Sequence, residues 1–285
     1  MNPPAELDEV TLFAAKFLYW ARRNQIFGTF QPFISYRGQE CEHWELLPSL
    51  CRGENKKLPL ELLERIEIEV ILAFRSRLAL SEDWTEIEVL AFARHHGAPT
   101  RLLDWTTNAL VGLWFAVADS QYDHLSGAVY QLLCGEPGPI GLSVSAPKGP
   151  ASCKCGLPVH VFSSPAKIAR PQRQSSVFSL AAFTGGYAVQ PLDQIHGPEQ
   201  KRQIRKFVVP AGLKRGLRNL LSDVGLDAYS IYGDPDSLGK AVSAKLDYGQ
   251  CGIPFDALPK SGYMWRDVKG SPNEGLGSAS DREGT

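Results

Sequence analysis

The chain has 285 residues, 44% of them hydrophobic and 21% charged, with a formal net charge of -1. That length is long for one domain, which runs to ~100–200 residues, and leaves room for a sizeable core. The near-zero charge gives no overall pull toward nucleic acid or a membrane surface. No apolar run reaches the ~18–20 residues of a membrane span, and the opening MNPPAELDEV has acids and no basic stretch. A soluble, cytoplasmic chain with no signal peptide and no membrane partner is expected. Six cysteines are too few for a disulfide framework in a chain this long, so free thiols in a reducing compartment are expected. Cys153 and Cys155 stand as C-x-C with His160 nearby, whereas zinc sites usually space close cysteines by two to four residues. A loop carrying two thiols is preferred there, and no metal is expected.

Residues 5–23 show apolar positions at three- and four-residue steps (Val10, Phe13, Ala14, Phe17, Leu18, Ala21), acids early and Arg22 and Arg23 late, which predicts a helix. Phe33 to Gly38 alternates as a strand does. Helices are predicted over 59–78 and about 83–96, the second closed by Gly97 and Pro99. TRLLDWT suits a short buried strand, and Asn108 opens ALVGLWFAVAD, apolar all round and so a buried helix. GAVYQLL (127–133) reads as a strand, and 134–158 as a loop or insertion rich in Gly, Pro and Ser. VHVFS, SSVFSLAAF and RKFVVP (205–210) read as further strands. A helix follows with Leu213, Leu217, Leu220, Leu221 and Val224 on one face, closed by Gly225. The tail from about 267 has little to bury and is expected to be disordered. Helices first, then strands and helices without β-α-β alternation, indicate α+β with a mixed or antiparallel sheet.

Four segments could carry chemistry. In Tyr36-Arg37-Gly38-Gln39, a guanidinium at a strand end beside a glycine suits phosphate or ribose-linked anions, and a surface arginine in a turn is the plain alternative. In His95-His96-Gly97-Ala98-Pro99-Thr100-Arg101-Leu102-Leu103-Asp104-Trp105-Thr106, Arg101 and Asp104 sit inside an apolar element. Unpaired charges there are costly, so either Arg101 and Asp104 form a buried ion pair, or Trp105 and Thr106 wall a pocket. His95 and His96 read as helix-terminal residues rather than metal ligands. Gln174, ahead of SSVFSL, is a candidate hydrogen-bonder in a pocket. In Asp234-Pro235-Asp236, capping of the following helix is preferred to cation binding. The basic run Lys201, Arg202, Arg205, Lys206, Lys214, Arg215 and Arg218 reads as a solvated face more readily than as an anion site. The glycine-rich phosphate loop, the nucleophile elbow and the metalloprotease helix motif are absent.

In order, these segments resemble the FRG-domain family, named for its aromatic-Arg-Gly signature. The likeness runs from Tyr36-Arg37-Gly38-Gln39 through Leu47-Pro48-Ser49-Leu50, Arg52 and HHGAPTRLLDWTTNALVGLWFAV to Arg170, Gln174, Phe178 and IYGDPDSLGK. With it the expected layout is an N-terminal helix at 1–29 packed on a domain at 30–250, an insertion at about 135–165 that the family pattern does not explain, and an extension at 251–285. Two departures are Ser176 where the family usually has Gly, and Tyr232-Gly233-Asp234-Pro235-Asp236-Ser237 in place of Phe-Pro-Asp-Leu-Asp-Gly.

The family's layout is similar to that of ADP-ribosyltransferases, which bind NAD in a cleft of a split sheet flanked by helices. The resemblance implies NAD as substrate, with Arg37, Thr106, Gln174 and Asp104 in catalytic places. It implies Arg37, Gly38, Gln39, Thr100, Arg101, Trp105 and Phe178 around the cofactor. It further implies an effector or toxin that cleaves the nicotinamide–ribose bond and modifies a macromolecular target, protein or nucleic acid, under a regulatory or antitoxin partner. A non-catalytic nucleotide or nucleic-acid binding module is the alternative.

Overall fold

A computed structural model describes residues 8–22, 33–134, 140–142, 159–163, 174–181, 191–194 and 204–247. Most of the expected 135–165 insertion, with Cys153 and Cys155, lies outside them, as do Arg170, Lys201, Arg202 and the extension 251–285. Among the described residues no helix is long and apolar enough to cross a membrane. The chain divides into two compact units, residues 1–238 and 239–285.

The elements run α1 (Glu9–Arg22), β1 (Phe33–Gln39), α2 (Leu60–Arg77), α3 (Glu86–His95), β2 (Leu102–Thr106) and α4 (Ala109–Val117). They continue with β3 (Gly127–Cys134), β4 (Ile140–Leu142), β5 (Val159–Ser163), β6 (Ser176–Ala181), β7 (Ile204–Val209), α5 (Lys214–Asp223), α6 (Ala228–Tyr232) and α7 (Pro235–Asp247). The boundaries follow local chemistry. Thr85 and Glu88 close a capping box at the start of α3, and Gly97, at φ +84°, turns the chain after it. Asn108 Oδ1 accepts from the N–H groups of Leu110 and Val111, which starts α4 at the expected residue. Asp234 Oδ1 accepts from Ser237 N, so the cap of α7 is Asp234, with Pro235 at the first helical position.

The strands form one seven-stranded sheet in the order β4-β5-β6-β2-β1-β3-β7. All the neighbours are antiparallel except β4 and β5. This is the expected α+β architecture with a mixed sheet. Strand alternation divides the core between the two faces. Leu103, Trp105, Ala128, Tyr130, Leu132, Val161 and Val177 pack in one cluster. On the other face Tyr36, Val129 and Val209 pack with α4 and α5, while Leu102, Phe162, Phe178 and Leu180 pack with residues of α2 and α3. Both faces are covered, which is why these strands read as continuous apolar runs. Leu113 and Val117 of α4 are fully buried, and such a side chain contributes about 1.5–3 kcal/mol.

One expectation fails and another holds only in part. Arg101 and Asp104 do not pair. Residues three apart on an extended segment point to opposite faces. Arg101 meets Glu67 of α2 at 2.6 Å and Asp104 meets Arg94 of α3 at 2.8 Å. The basic run is a solvated face only in part: Lys206 and Arg215 are exposed, but Lys214 and Arg218 are not. Lys214 is fully buried with Nζ donating to the carbonyls of Glu40 and Tyr122, both at 2.8 Å. Arg218 holds Asp123 through two hydrogen bonds. The apolar face of α5 is therefore shared with buried cations, and Val224, placed on that face by its spacing, is 63% exposed.

Candidate functional site

Most of the sheet is held by long ladders, but β1 and β2 meet at one residue pair, Tyr36 with Thr106. By contrast β1 pairs with β3 over seven residues. The helices on the face that carries Tyr36 and Leu102 divide at the same place. α4 covers the β1–β3 side and α3 the β2–β6 side.

A cavity of about 310 Å³ lies at this seam, at the small end of the ~300–1,000 Å³ range of small-molecule sites. Its lining includes Arg37, Arg94, His95, Asp104, Phe115 and Tyr232.

Gly38 makes the close approach on one side possible. A Cβ there would lie 2.2 Å from the Gly112 carbonyl oxygen and 2.5 Å from the Ala116 nitrogen, both main-chain atoms of α4. Arg37 follows from the strand's alternation: its backbone lies opposite Tyr130, on the other face from Tyr36 and Gly38. Its side chain passes into the seam. Nη1 donates to the Asp104 carbonyl at 2.8 Å and lies 3.7 Å from the Asp104 carboxylate. A side chain thus bridges β1 and β2 beyond their single pair.

Asp104 is shared by two arginines. Arg94 donates to its Oδ2 through Nε at 2.9 Å, with Nη2 2.8 Å from the same oxygen. Burial raises the carboxyl's pKa, but the guanidinium groups of Arg94 and Arg37 outweigh that and hold it below its ordinary value. It is an ionised acceptor and a poor proton acceptor at neutral pH. Burial pushes the Arg37 guanidinium down to about 9, against the pull of Asp104 and with Arg52 and Arg94 adding to the fall. It is still a cation at pH 7.

The structure brings Arg37, Gly38, Asp104, Trp105, Thr106 and Gln174 to one cavity. Their hydrogen bonds define what each offers. Thr106 Oγ1 donates to the Gln174 carbonyl at 2.6 Å and accepts from Asn108 N, so it fastens the wall. Trp105 is 2% exposed and its indole N–H donates to Ser179. Gln174 donates to the Ile231 carbonyl and accepts from Ser176, both at 3.4 Å.

Four other expected residues lie outside the lining. Gln39 is buried and donates to the Glu45 carbonyl. Thr100 is tied to Ser49 through its N–H and carbonyl. Arg101 is engaged by Glu67. Phe178 is fully buried against Phe162, its ring 5.7 Å from that of His95. Sequence reasoning missed Arg94, Phe115 and Tyr232. The signal for Arg94 was present: with His95 it is one of two basic residues in the last turn of a helix that buries Ile87, Val89, Leu90, Ala91 and Ala93.

Comparison with protein-family models gives one assignment. Residues 33–124 match the FRG domain. The FRG segment supplies β1, α2, α3, β2 and α4, and with them Arg37, Arg94, Asp104 and Phe115. Gln174, Ser176 and Tyr232 complete the lining from beyond it. Among curated proteins and among solved structures, no significant match to the chain was found. Among the described residues no group of three or more His, Cys, Asp or Glu is placed to hold a metal ion.

Proposed function

We propose that the seam cavity binds a nucleotide and that NAD is the first form of it to test. The observation that carries this reading is a single cavity whose lining combines the guanidinium groups of Arg37 and Arg94 with the rings of Phe115 and Tyr232. Guanidinium forks suit phosphate oxygens, and aromatic walls suit a base or a nicotinamide ring.

The second reading is chemical: cleavage of the nicotinamide–ribose bond with transfer of ADP-ribose to a protein or nucleic acid. Asp104 favours it. Its carboxylate is ionised and its side chain keeps 30% of its surface. Such a group accepts hydrogen bonds from ribose hydroxyls and steadies an oxocarbenium-like state. Flanked by two arginines it is a weak base, so the target would bring its own nucleophile. Under this reading the protein is an effector or toxin, and a partner restrains it.

The test is thermal melting of the full chain with NAD, ADP-ribose, ATP and short DNA and RNA oligonucleotides. A saturable rise with NAD, lost in a folded Arg37→Ala variant, is expected. At a hundred times Kd the stabilisation is about 2.7 kcal/mol, a shift of several degrees. Melting raised by oligonucleotides alone moves the function to nucleic-acid binding. No response to any of them removes the nucleotide reading. Release of nicotinamide from labelled NAD, with label transferred to a lysate component, separates the chemical reading from binding alone.

A further inference from the structure

Arg52 lies outside the cavity lining, yet it belongs to the same charge cluster. It follows the short turn Ser49–Cys51, and its Nε donates to the Leu47 carbonyl at 2.7 Å. The same turn carries Ser49, whose Oγ accepts from Thr100 N at 3.2 Å and from Arg94 Nη1 at 3.5 Å. The turn is thereby fixed between the end of α3 and the start of β2, and Arg52 interacts electrostatically with Arg37, Arg94 and Asp104.

Two guanidinium groups thus contact the Asp104 carboxylate, and the charge of Arg52 acts on the same group from further off. The nearby Glu67 is already spent on Arg101. Among the described residues the cluster therefore holds two positive charges in excess. Two of its donors, Arg37 Nε and Arg52 Nη2, are buried with no hydrogen-bond partner among the described residues. Buried like charges repel, and a buried donor without an acceptor is costly. The repulsion is relieved by one event, the arrival of an anion.

We propose that Arg52 is the third cation of this site and that the site is built for a doubly negative phosphate group, either a pyrophosphate or a terminal phosphomonoester. The inference rests on the nucleotide reading of the cavity and specifies the part of the nucleotide that is held. Asp104 acts as the resident counter-ion with which the ligand's phosphate competes. Arg52 acts through its charge, so a lysine can replace it and a neutral side chain cannot.

The experiment is calorimetric titration and melting of the full chain, as wild type, Arg52→Gln, Arg52→Lys and Asp104→Asn. The probes are adenosine, AMP, ADP, NAD and inorganic pyrophosphate. Arg52→Gln should weaken ADP binding at least ~10-fold and leave adenosine unchanged, while Arg52→Lys should stay within ~3-fold of wild type. Asp104→Asn should tighten the phosphate ligands. Preference for AMP over NAD identifies a terminal phosphomonoester, and the reverse a pyrophosphate.

Adenosine binding as tightly as ADP overturns the inference and leaves the nucleotide reading intact. Unchanged ADP affinity in Arg52→Gln overturns the role of Arg52. If no adenosine compound binds but pyrophosphate raises the melting temperature of wild type and not of Arg52→Gln, the anion site stands and the nucleotide reading falls. Pyrophosphate without effect in that case overturns the inference too. Should Arg52→Gln fail to fold, Asp104→Asn decides, and failure to tighten the phosphate ligands refutes the proposal.

Discussion

Glu67→Ala separates structure from ligand binding at Arg101, a residue that the family resemblance placed around NAD. Glu67 is 2% exposed and Arg101 5% exposed. One carboxylate oxygen accepts from Arg101 N at 3.3 Å. The other accepts from Arg101 Nε at 2.8 Å and lies 2.6 Å from Nη2. Removing the carboxylate takes from a buried guanidinium and a buried N–H the acceptor that Glu67 supplies. Breaking such a pair from one side costs about 3–5 kcal/mol. For a domain of this size that is a fall of roughly 6–20 °C in Tm.

The double variant Glu67→Ala/Arg101→Met removes both charges and keeps an apolar stem. It should regain much of the loss, since replacing a whole buried pair by apolar groups is often close to neutral. Urea unfolding followed by tryptophan fluorescence measures all three proteins. A loss under about 1 kcal/mol in Glu67→Ala, or a double variant no more stable than the single one, would refute the assignment of Arg101 to a buried structural pair.

Three further outcomes are expected. Gly38→Ala forces a Cβ against main-chain atoms of α4 at 2.2–2.7 Å, so it should cost about 2–3 kcal/mol and weaken ligand binding in the same variant, as read by urea unfolding and calorimetry. Asp104 has a depressed pKa, so its stabilisation is present above its ordinary value of 3.8 and is lost as pH falls through the folded value; Asp104→Asn should flatten the acid limb of a Tm–pH profile. Glu40 behaves oppositely. Burial pushes its carboxyl up to about 7, aided by Asp119 and opposed by the Asp119 N–H, Lys214 and Arg218. Its protonated form favours the folded state, so stability should decline between pH 4.5 and about 7 and then level off. Glu40→Gln should remove that slope, which is on the order of 1–2 kcal/mol after screening.

Element type was legible in the sequence because the signals are local. Asn108, Gly97 and Gly225 each mark a helix end through their own backbone or side chain, and α4 announces its burial by having no polar face. The partners of charged residues were not legible, because they are set by elements distant in sequence. Arg101 finds Glu67 thirty-four residues earlier, and Arg37 finds Asp104 sixty-seven later. Lys214 read as solvent-facing because a basic run is usually a wet face, whereas here the two carbonyls that receive its ammonium lie on turns 174 and 92 residues away. The cavity was half legible. Arg37, Asp104 and Gln174 stand out as polar residues in apolar stretches, but Arg94, Phe115 and Tyr232 look like ordinary helix residues until the sheet brings them together.

The seam itself explains why these particular residues meet. A sheet with a full ladder between β1 and β2 would leave no opening for a guanidinium. Gly38 ties β1 closely to the backbone of α4, while β2 is bound along its whole length to β6. Each strand is thus committed to a different partner, and one pair is all that joins them. The space so made is filled by charge because the side chains entering it from β1, α3 and β2 are Arg37, Arg94 and Asp104. The segment that matches the FRG domain contains this whole polar core but not its closing wall, since Gln174, Ser176 and Tyr232 come from residues beyond 124. It also lacks β3 and β6, which pair with β1 and β2. Residues 33–124 alone would leave both strands with unpaired edges and the cavity open on one side, so the cavity at Arg37 requires the later strands as well as the FRG segment.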